Sequence, residues 1–216
     1  MSTNSKVSII ITNYNYSRFL DECLQSCINQ NFNHKYEIIL IDDNSNKQNI
    51  KILKRLKKKF INKVIFLQNK KNIGISASAN KAIKKANSKY FVRVDADDYV
   101  SNKFIRNLYK QITKQKNILG VACNYVHVRR NRVLKKLKHK KKPISCAILY
   151  NRKKFISYGG YNNNFRHREE EEVRKRLGKK YKISYIENYL YNYRMHNTNK
   201  TKQKKNMKIY YKKIYD

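Results

Sequence analysis

The chain has 216 residues, enough for one domain with a substantial buried core, and 40% of them are apolar. Its 51 Lys plus Arg against 14 Asp plus Glu give a formal net charge of +37, which favours polyanionic partners such as nucleotide diphosphates and anionic membrane surfaces. Lys is spread along the whole chain beside abundant Asn, Ile and Tyr, with Gly (5), Pro (1) and Trp (0) scarce, so we read most of this charge as compositional bias and expect no specific nucleic-acid partner.

Val7 to Ile11 is a continuous β-branched run, as expected for a strand buried on both faces. Phe19, Leu20, Cys23, Leu24, Cys27 and Ile28 form the stripe of an amphipathic helix. Glu37 to Ile41 predicts a second buried strand, Ile52, Leu53 and Leu56 a short helix, and Val64 to Leu67 a third strand. Ala79, Ala82, Ile83 and Ala86 place a helix after Gly74; Tyr90 to Val94 is a fourth strand and Phe104, Ile105, Leu108 and Ile112 a fourth helix. Strand and helix thus alternate four times, which predicts an α/β fold with a parallel sheet of βαβ units.

The second half is less regular. Val121 to Val128 alternates like a strand, Lys135 to Lys142 reads as a basic loop, Ile144 to Tyr150 is another apolar piece, and Gly159-Gly160 is a turn. Glu169 to Lys179 reads as a helix, Ile183 to Ile186 and Leu190 to Arg194 as two strands, and residues 201–216 as a Lys-rich tail with a weak helical signal. Cys23, Cys27, Cys123 and Cys146 form no CxxC pair and no metal-ligand spacing, which fits a reducing compartment. No stretch approaches the roughly 20 apolar residues of a membrane span, and the apolar run of MSTNSKVSIII is too short for a signal peptide. The expected location is cytoplasmic, with peripheral contact at the inner membrane surface.

Ligands bind parallel sheets beyond the carboxyl ends of the strands. Three polar stretches, Thr12 to Asn15, Asp42 to Ser45 and Asp95 to Asp98, each follow a strand and so converge on one edge. In this acid-poor chain, "VRVDADDYV" gathers three carboxylates within four positions, and their mutual repulsion is costly unless a cation sits among them. Asp95 and Asp97 are two apart and point to one side of an extended chain, a pair suited to a hard divalent cation such as Mg²⁺ or Mn²⁺ with positions left open for diphosphate oxygens. The plainer alternative is a polar strand end capping the next helix.

Set in order, "VSIIITNYNYSRFLDECLQSCINQNFNHKYEIILIDDNSN" and "NKKNIGISASANKAIKKANSKYFVRVDADD" resemble the nucleotide-binding half of family 2 glycosyltransferases. The shared features are a T-x-Y-N turn, S-x-x-x-Q, E-I-I-x-I-D-D-x-S, N-x-G-x-x-x-A-x-N and D-x-D-D, over about residues 6–100. "GGYNNNFRHREEEEVRKRL" and "YRMHNTNKT" carry a looser likeness in the second half. The resemblance implies a GT-A fold, a Rossmann-like, mostly parallel sheet flanked by helices, in a domain over residues 1–200. Its nucleotide-binding half is 1–100, its smaller acceptor half 101–200, and the tail follows at 201–216. It also implies an inverting transfer of a sugar from a nucleotide diphosphate-sugar, first among them a UDP-sugar, to a saccharide or lipid-linked acceptor in cell-surface polysaccharide or glycan synthesis.

By position, the resemblance puts Thr12, Tyr14, Asn15 and Asp43 at the nucleotide base with Asp42 beside them, and Asn72, Gly74 and Asn80 near the ribose and diphosphate. Asp95 and Asp97 would bind the metal, Ala96 would lie against the nucleotide and Asp98 close to the donor sugar. Arg194 would lie near the diphosphate, and His196 is either a further metal ligand or a structural histidine. The general base would be Glu170; most relatives have Asp there. Val173 and Leu177 define the inward face of this helix, over which Glu169 and Glu170 project, while Glu171 and Glu172 are four before Lys175 and Arg176 and read as surface ion pairs. The alternative for all four glutamates is stabilisation of a helix N-terminus. The competing functions are a nucleotidyltransferase, whose Gly- and Arg-rich phosphate loop is absent from "TNYNYSRF", a basic nucleic-acid-binding protein, which has no use for Asp95 to Asp98, and a glycosyltransferase without turnover, against which the intact acids argue.

Overall fold

The computed structural model describes residues 5–130, 132–199, 202 and 204–216. Residues 1–4 of the expected leaderless N-terminus, and Thr201 and Gln203 of the expected tail, lie outside the described residues. The first half alternates as expected: β1 (Val7–Asn13), α1 (Leu20–Ile28), β2 (Tyr36–Asp42), α2 (Lys47–Lys59), β3 (Ile65–Gln68), α3 (Ile75–Lys85) and β4 (Tyr90–Asp95). A two-residue β5 (Tyr99–Val100) then precedes α4 (Phe104–Lys114). The second half contributes β6 (Gly120–Arg129), β7 (Arg132–Leu137), β8 (Ile148–Asn151), α5 (Arg152–Ser157), α6 (Glu169–Leu177), β9 (Ile183–Arg194) and α7 (Lys204–Tyr215).

One sheet runs through both halves in the order β3-β2-β1-β4-β8-β6-β9-β5, with β7 paired to β6. The first four strands are parallel, and chain order reverses at β1, which has β2 on one side and β4 on the other. Such a switch point opens a crevice at the strands' carboxyl ends. Both faces of the sheet are covered, which is why β1 reads as an unbroken apolar run. Val7, Ile9 and Ile11 pack toward α1, α2 and α4, while Ile10 packs toward α3, α5 and α6.

The structure departs from the sequence reading at β7 and β9, adds the short elements β5 and α5, and bears out the helical signal of the tail. The expected basic loop at Lys135 to Lys142 begins as the strand β7, since β6 extends beyond its short pairing with β8 and offers a free edge; Leu137 is buried there while the rest of β7 stays exposed. The two expected strands at Ile183 to Ile186 and Leu190 to Arg194 are one strand, β9, whose pairing with β6 shifts around Asn124 to absorb the polar residues between them. In the expected tail, residues 204–215 form α7. It lies on α6 through the Arg168 Nε to Met207 carbonyl bond (2.9 Å) and the Tyr215 hydroxyl to Glu171 bond (3.1 Å), and Tyr210 adds a ring contact with Phe165.

Gly120 sits where β6 meets both β8 and β9. A Cβ there would lie 2.7 Å from the Leu149 carbonyl oxygen, a backbone atom fixed in the sheet. Gly120→Ala is therefore expected to cost about 1–3 kcal/mol, the usual penalty of overpacking, read as a lowered midpoint in chemical denaturation.

Candidate active site

A cleft of ≈ 910 Å³ opens over the carboxyl ends of β1, β2 and β4. Thr12 of β1 is in register with Asp95 of β4, so these two strand ends form its floor. Of the residues singled out from the sequence, Thr12, Tyr14, Asn15, Asp43, Asn72, Gly74, Asp95, Asp97 and Glu170 line it.

Asp43 organises the wall after β2. Its carboxylate accepts from the Ile73 and Gly74 backbone N–H groups (2.9 and 2.8 Å) and from Asn69 Nδ2 (2.9 Å), which folds the 69–74 loop over the cleft. Gly74 has φ of 91°, and a Cβ there would meet Arg166 Cγ at 3.0 Å, so only glycine suits both the backbone and the close approach. Arg166 reaches across from the second half to Asn72 Oδ1 at 2.5 Å.

At the end of β4, Asp95 and Asp97 on the floor and Asp98 beneath it hold carboxylate oxygens within 4.8 Å of one another. Burial raises the Asp95 pKa, Arg93 opposes the rise, and Asp97 and Glu169 add to it. Burial, followed by the charges of Asp97 and Asp95, lifts Asp98 well above the usual carboxylate range. A cation among them would relieve this repulsion. The donor set fits such an ion: all the ligands are hard oxygens, and Asp95 Oδ1 is buried with no hydrogen bond, its ion-pair partner being Arg93 Nε at 3.4 Å.

Several expected site residues do not reach the cleft walls, and each has a local reason. Asp42 is held by Asn13 Nδ2 (2.7 Å) and Ser45 Oγ (2.6 Å) and shapes the turns after β1 and β2. Asn80 bonds the Tyr161 carbonyl (2.7 Å) and Asn163 Oδ1 (2.8 Å), tying α3 to the second half. Ala96 is buried in the core. Asp98, placed by the resemblance at the donor sugar, instead accepts from the Tyr191 hydroxyl (2.6 Å) and the Arg194 backbone N–H (2.8 Å), and so anchors β9 beneath the floor. Arg194 bonds the Asp97 carbonyl (2.8 Å) and pairs with Glu22 (2.6 Å). His196 stands outside the carboxylate trio, and its Nε2 lies 2.8 Å from Asp97 Oδ2.

The second-half wall comes from α6. Its first turn projects Glu169 toward the floor, where it pairs with Arg93 at 2.7 Å. Glu170 accepts from the Tyr150 hydroxyl (2.7 Å) and from the Tyr181 hydroxyl. Burial pushes its pKa up to about 7, while the hydrogen bonds from Tyr181 and Tyr150 work against the rise. Glu172 pairs with Arg176 at 2.7 Å, as expected from the spacing, but it is buried and not on the surface, since Arg176 also bonds the Tyr158 and Gly160 carbonyls of the second half. Glu171 does not meet Lys175. It turns toward Arg168 and the hydroxyl of Tyr215 on α7, and it lines the cleft.

Arg93, Tyr150, Tyr181 and Arg174 escaped the sequence reading. Arg93 had a visible signal, a charge in the middle of the apolar strand Tyr90 to Val94; the tyrosines and Arg174 had none, because their roles depend on how β8, α6 and the loop before β9 pack.

Over residues 8–204 the sequence matches glycosyl transferase family 2. The chain belongs to that family. The poly(ribitol-phosphate) beta-glucosyltransferase of Bacillus spizizenii is 38% identical over 105 residues, which are 48% of this chain and 17% of that protein. The cholesterol galactosyltransferase of Borreliella burgdorferi is 32% identical over 123 residues, 57% of this chain and 33% of that protein. Both matches thus span well under half of the relatives' length. Among solved structures, S. aureus TarS 1-349 in complex with UDP-GlcNAc superimposes with a TM-score of 0.75 at 18% identity, covering 90% of this chain and 60% of that one. Mannosyltransferase PcManGT from Pyrobaculum calidifontis, in complex with GDP-Man and Mn²⁺, does so with a TM-score of 0.74 at 13% identity, covering 95% and 61%. At such identities the likeness establishes the fold, which is GT-A. Family membership leaves the nucleotidyltransferase and nucleic-acid-binding readings without support. No helix among the described residues of this family 2 chain is long and apolar enough to cross a membrane.

The raised Glu170 pKa has a consequence for stability. The folded state holds this proton more tightly than the unfolded chain does, so stability falls as pH rises from the ordinary carboxylate range through about 7. Glu170→Gln removes that loss. Thermal denaturation of parent and variant at about pH 5 and about pH 8 is expected to show the variant gaining on the parent at the higher pH.

Proposed function

We propose that the chain is an inverting glycosyltransferase moving a sugar from a nucleotide diphosphate-sugar, UDP-sugars first, to a saccharide or lipid-linked acceptor used in cell-surface polysaccharide synthesis. The observation that carries this reading is the convergence, in one cleft, of the Asp95–Asp97 pair on the first-half floor and Glu170 on the second-half wall. Family membership and the names of the relatives, a poly(ribitol-phosphate) beta-glucosyltransferase among them, support the same chemistry. The UDP-GlcNAc bound by one structural neighbour supports the choice of donor.

The two walls divide the work. Thr12, Tyr14 and Asn15 and the loop held by Asp43 would seat the nucleotide. Asp95 and Asp97 are the residues that would hold a Mn²⁺ or Mg²⁺ ion, which when bound offsets negative charge on diphosphate oxygens. His196 would hold Asp97 in place for that role. Glu170 would take the proton of the acceptor hydroxyl as its oxygen bonds to the anomeric carbon on the face opposite the diphosphate. The bond from that carbon to the diphosphate oxygen breaks with its electron pair, and the configuration inverts. A base with a pKa of about 7 accepts a proton near neutrality without being wholly protonated beforehand. The acceptor's hydroxyl proton would then compete with the tyrosine donors for the carboxylate. The +37 charge supports reaction at an anionic membrane surface on the cytoplasmic side.

Two outcomes are expected. Calorimetry should find UDP binding with Mn²⁺ and far weaker binding with chelator, and Asp97→Asn should erase the difference; equal affinity under both conditions refutes the metal role. Glu170→Gln should lower transfer by about 10²–10⁴-fold, the usual worth of general-base catalysis, with UDP affinity little changed. If Glu170→Gln transfers sugar at near the parent rate, Glu170 is not the base.

A further inference from the structure

Five arginines line the cleft: Arg18, Arg93, Arg166, Arg168 and Arg174. Four have partners. Arg18 bonds Thr198 Oγ1, Arg93 pairs with Asp95 and Glu169, Arg166 bonds Asn72, and Arg168 pairs with Glu171. For Arg174, no hydrogen bond or ion pair is found among the described residues, and its Nε is buried without a partner. It is half-buried on α6, one turn beyond Glu170, within Coulombic reach of Glu170, Tyr181, Tyr185 and His139. All four belong to the second half of the chain.

A buried guanidinium N–H without an acceptor is unfavourable, as for the Arg174 Nε, and the planar fork to which it belongs suits oxyanions. The carboxylates nearest in sequence do not hydrogen-bond it. Glu170 is engaged by its two tyrosines and Glu171 by Arg168. The donor's phosphates belong beside Asp95 and Asp97, at the carboxyl ends of the first-half strands, whereas Arg174 stands on the wall that carries the proposed base. A ligand that fills this place arrives with the acceptor.

We propose that the acceptor carries an oxyanion, a phosphate or a carboxylate, near the hydroxyl that is glycosylated, and that Arg174 binds it. This rests on the glycosyltransferase reading and narrows the acceptor class within it. Binding the anion there places the hydroxyl over Glu170, one turn back on the same helix face. An uncharged sugar or sterol hydroxyl leaves Arg174 unanswered and is the poorer acceptor.

The test uses the full chain saturated with UDP and Mn²⁺, and ligand-observed NMR with glycerol 3-phosphate, glycerate and uncharged glycerol as probes. The phosphate and carboxylate probes are compared directly, which identifies the anion; glycerol is expected to show no binding. Arg174→Gln should weaken the anionic probes at least about tenfold, the scale of one lost charged hydrogen bond, while Arg174→Lys, which keeps the charge but not the fork, should recover part of the loss. UDP affinity should stay within about twofold in both variants, which also certifies their folding. Lys57→Gln, on the exposed end of α2, controls for the general positive field and should leave probe binding unchanged. Equal binding of glycerol, or anion binding untouched by Arg174→Gln, or equal weakening by Lys57→Gln, overturns the proposal. Failure of the parent to bind UDP would instead overturn the glycosyltransferase reading on which it rests.

Discussion

The cleft depends on one buried cation. Arg93 is 2% exposed in the middle of β4, a position where every neighbouring strand residue is apolar. Desolvating a guanidinium is tolerable only against carboxylates. It has two, Asp95 two residues ahead on its own strand and Glu169 on α6, with the Tyr161 ring 5.4 Å away. One of these acids comes from the first half of the chain and the other from the second, so neutralising Arg93 requires α6 to seat its first turn against the carboxyl end of β4. The width of the cleft, and the placement of Glu170 immediately after Glu169, follow from that contact. The same cation relieves part of the repulsion within the aspartate cluster.

Around this centre the acids are sorted by what holds them. Asp98 is committed to Tyr191 and the backbone of Arg194 and so belongs to the frame. Asp97 carries His196 on one oxygen, and that imidazole is itself packed against Phe19 and Tyr16, with ring centroids 4.9 and 5.5 Å away. Asp95 keeps an oxygen free of hydrogen bonds. Three acids within four positions thus meet three environments, and only Asp95 and Asp97 face the cleft. In a chain of net charge +37 the acidic side chains are not spread at random over the surface. Several are gathered where the sheet changes direction, held by buried tyrosines, arginines and one histidine.

How much of this was legible in the sequence depends on the range of the interactions. The β-branched runs at Val7 to Ile11 and Glu37 to Ile41 declared buried parallel strands, because burial on both faces removes the polar alternation. The polar residues after each strand declared the edge where the cleft lies. What remained hidden was set by long-range pairing. β7 exists since β6 has a free edge, and nothing in Arg132 to Leu137 compels a strand. The two pieces of β9 are fused by their shared neighbour β6, although Glu187 and Asn188 interrupt the apolar pattern. Glu171 has Lys175 at the proper helical spacing and turns elsewhere because Arg168 and α7 reach it first. Asn80 matched a nucleotide-binding pattern, yet its amide is taken by Tyr161 and Asn163 from the second half.

The environment of Glu170 follows from side-chain length. A glutamate carries one more methylene than the aspartate the family resemblance led us to expect, and here the carboxylate extends to two tyrosine hydroxyls, those of Tyr150 on β8 and Tyr181 before β9. Their hydroxyls favour the ionised form, burial favours the neutral one, and the balance falls at about 7. Arg174, one turn further along α6, adds a positive charge that also favours ionisation. Arg93 acts in the same direction and more strongly than Arg174, so the basicity of Glu170 is set chiefly by its burial and by the two tyrosine hydroxyls that its longer side chain reaches.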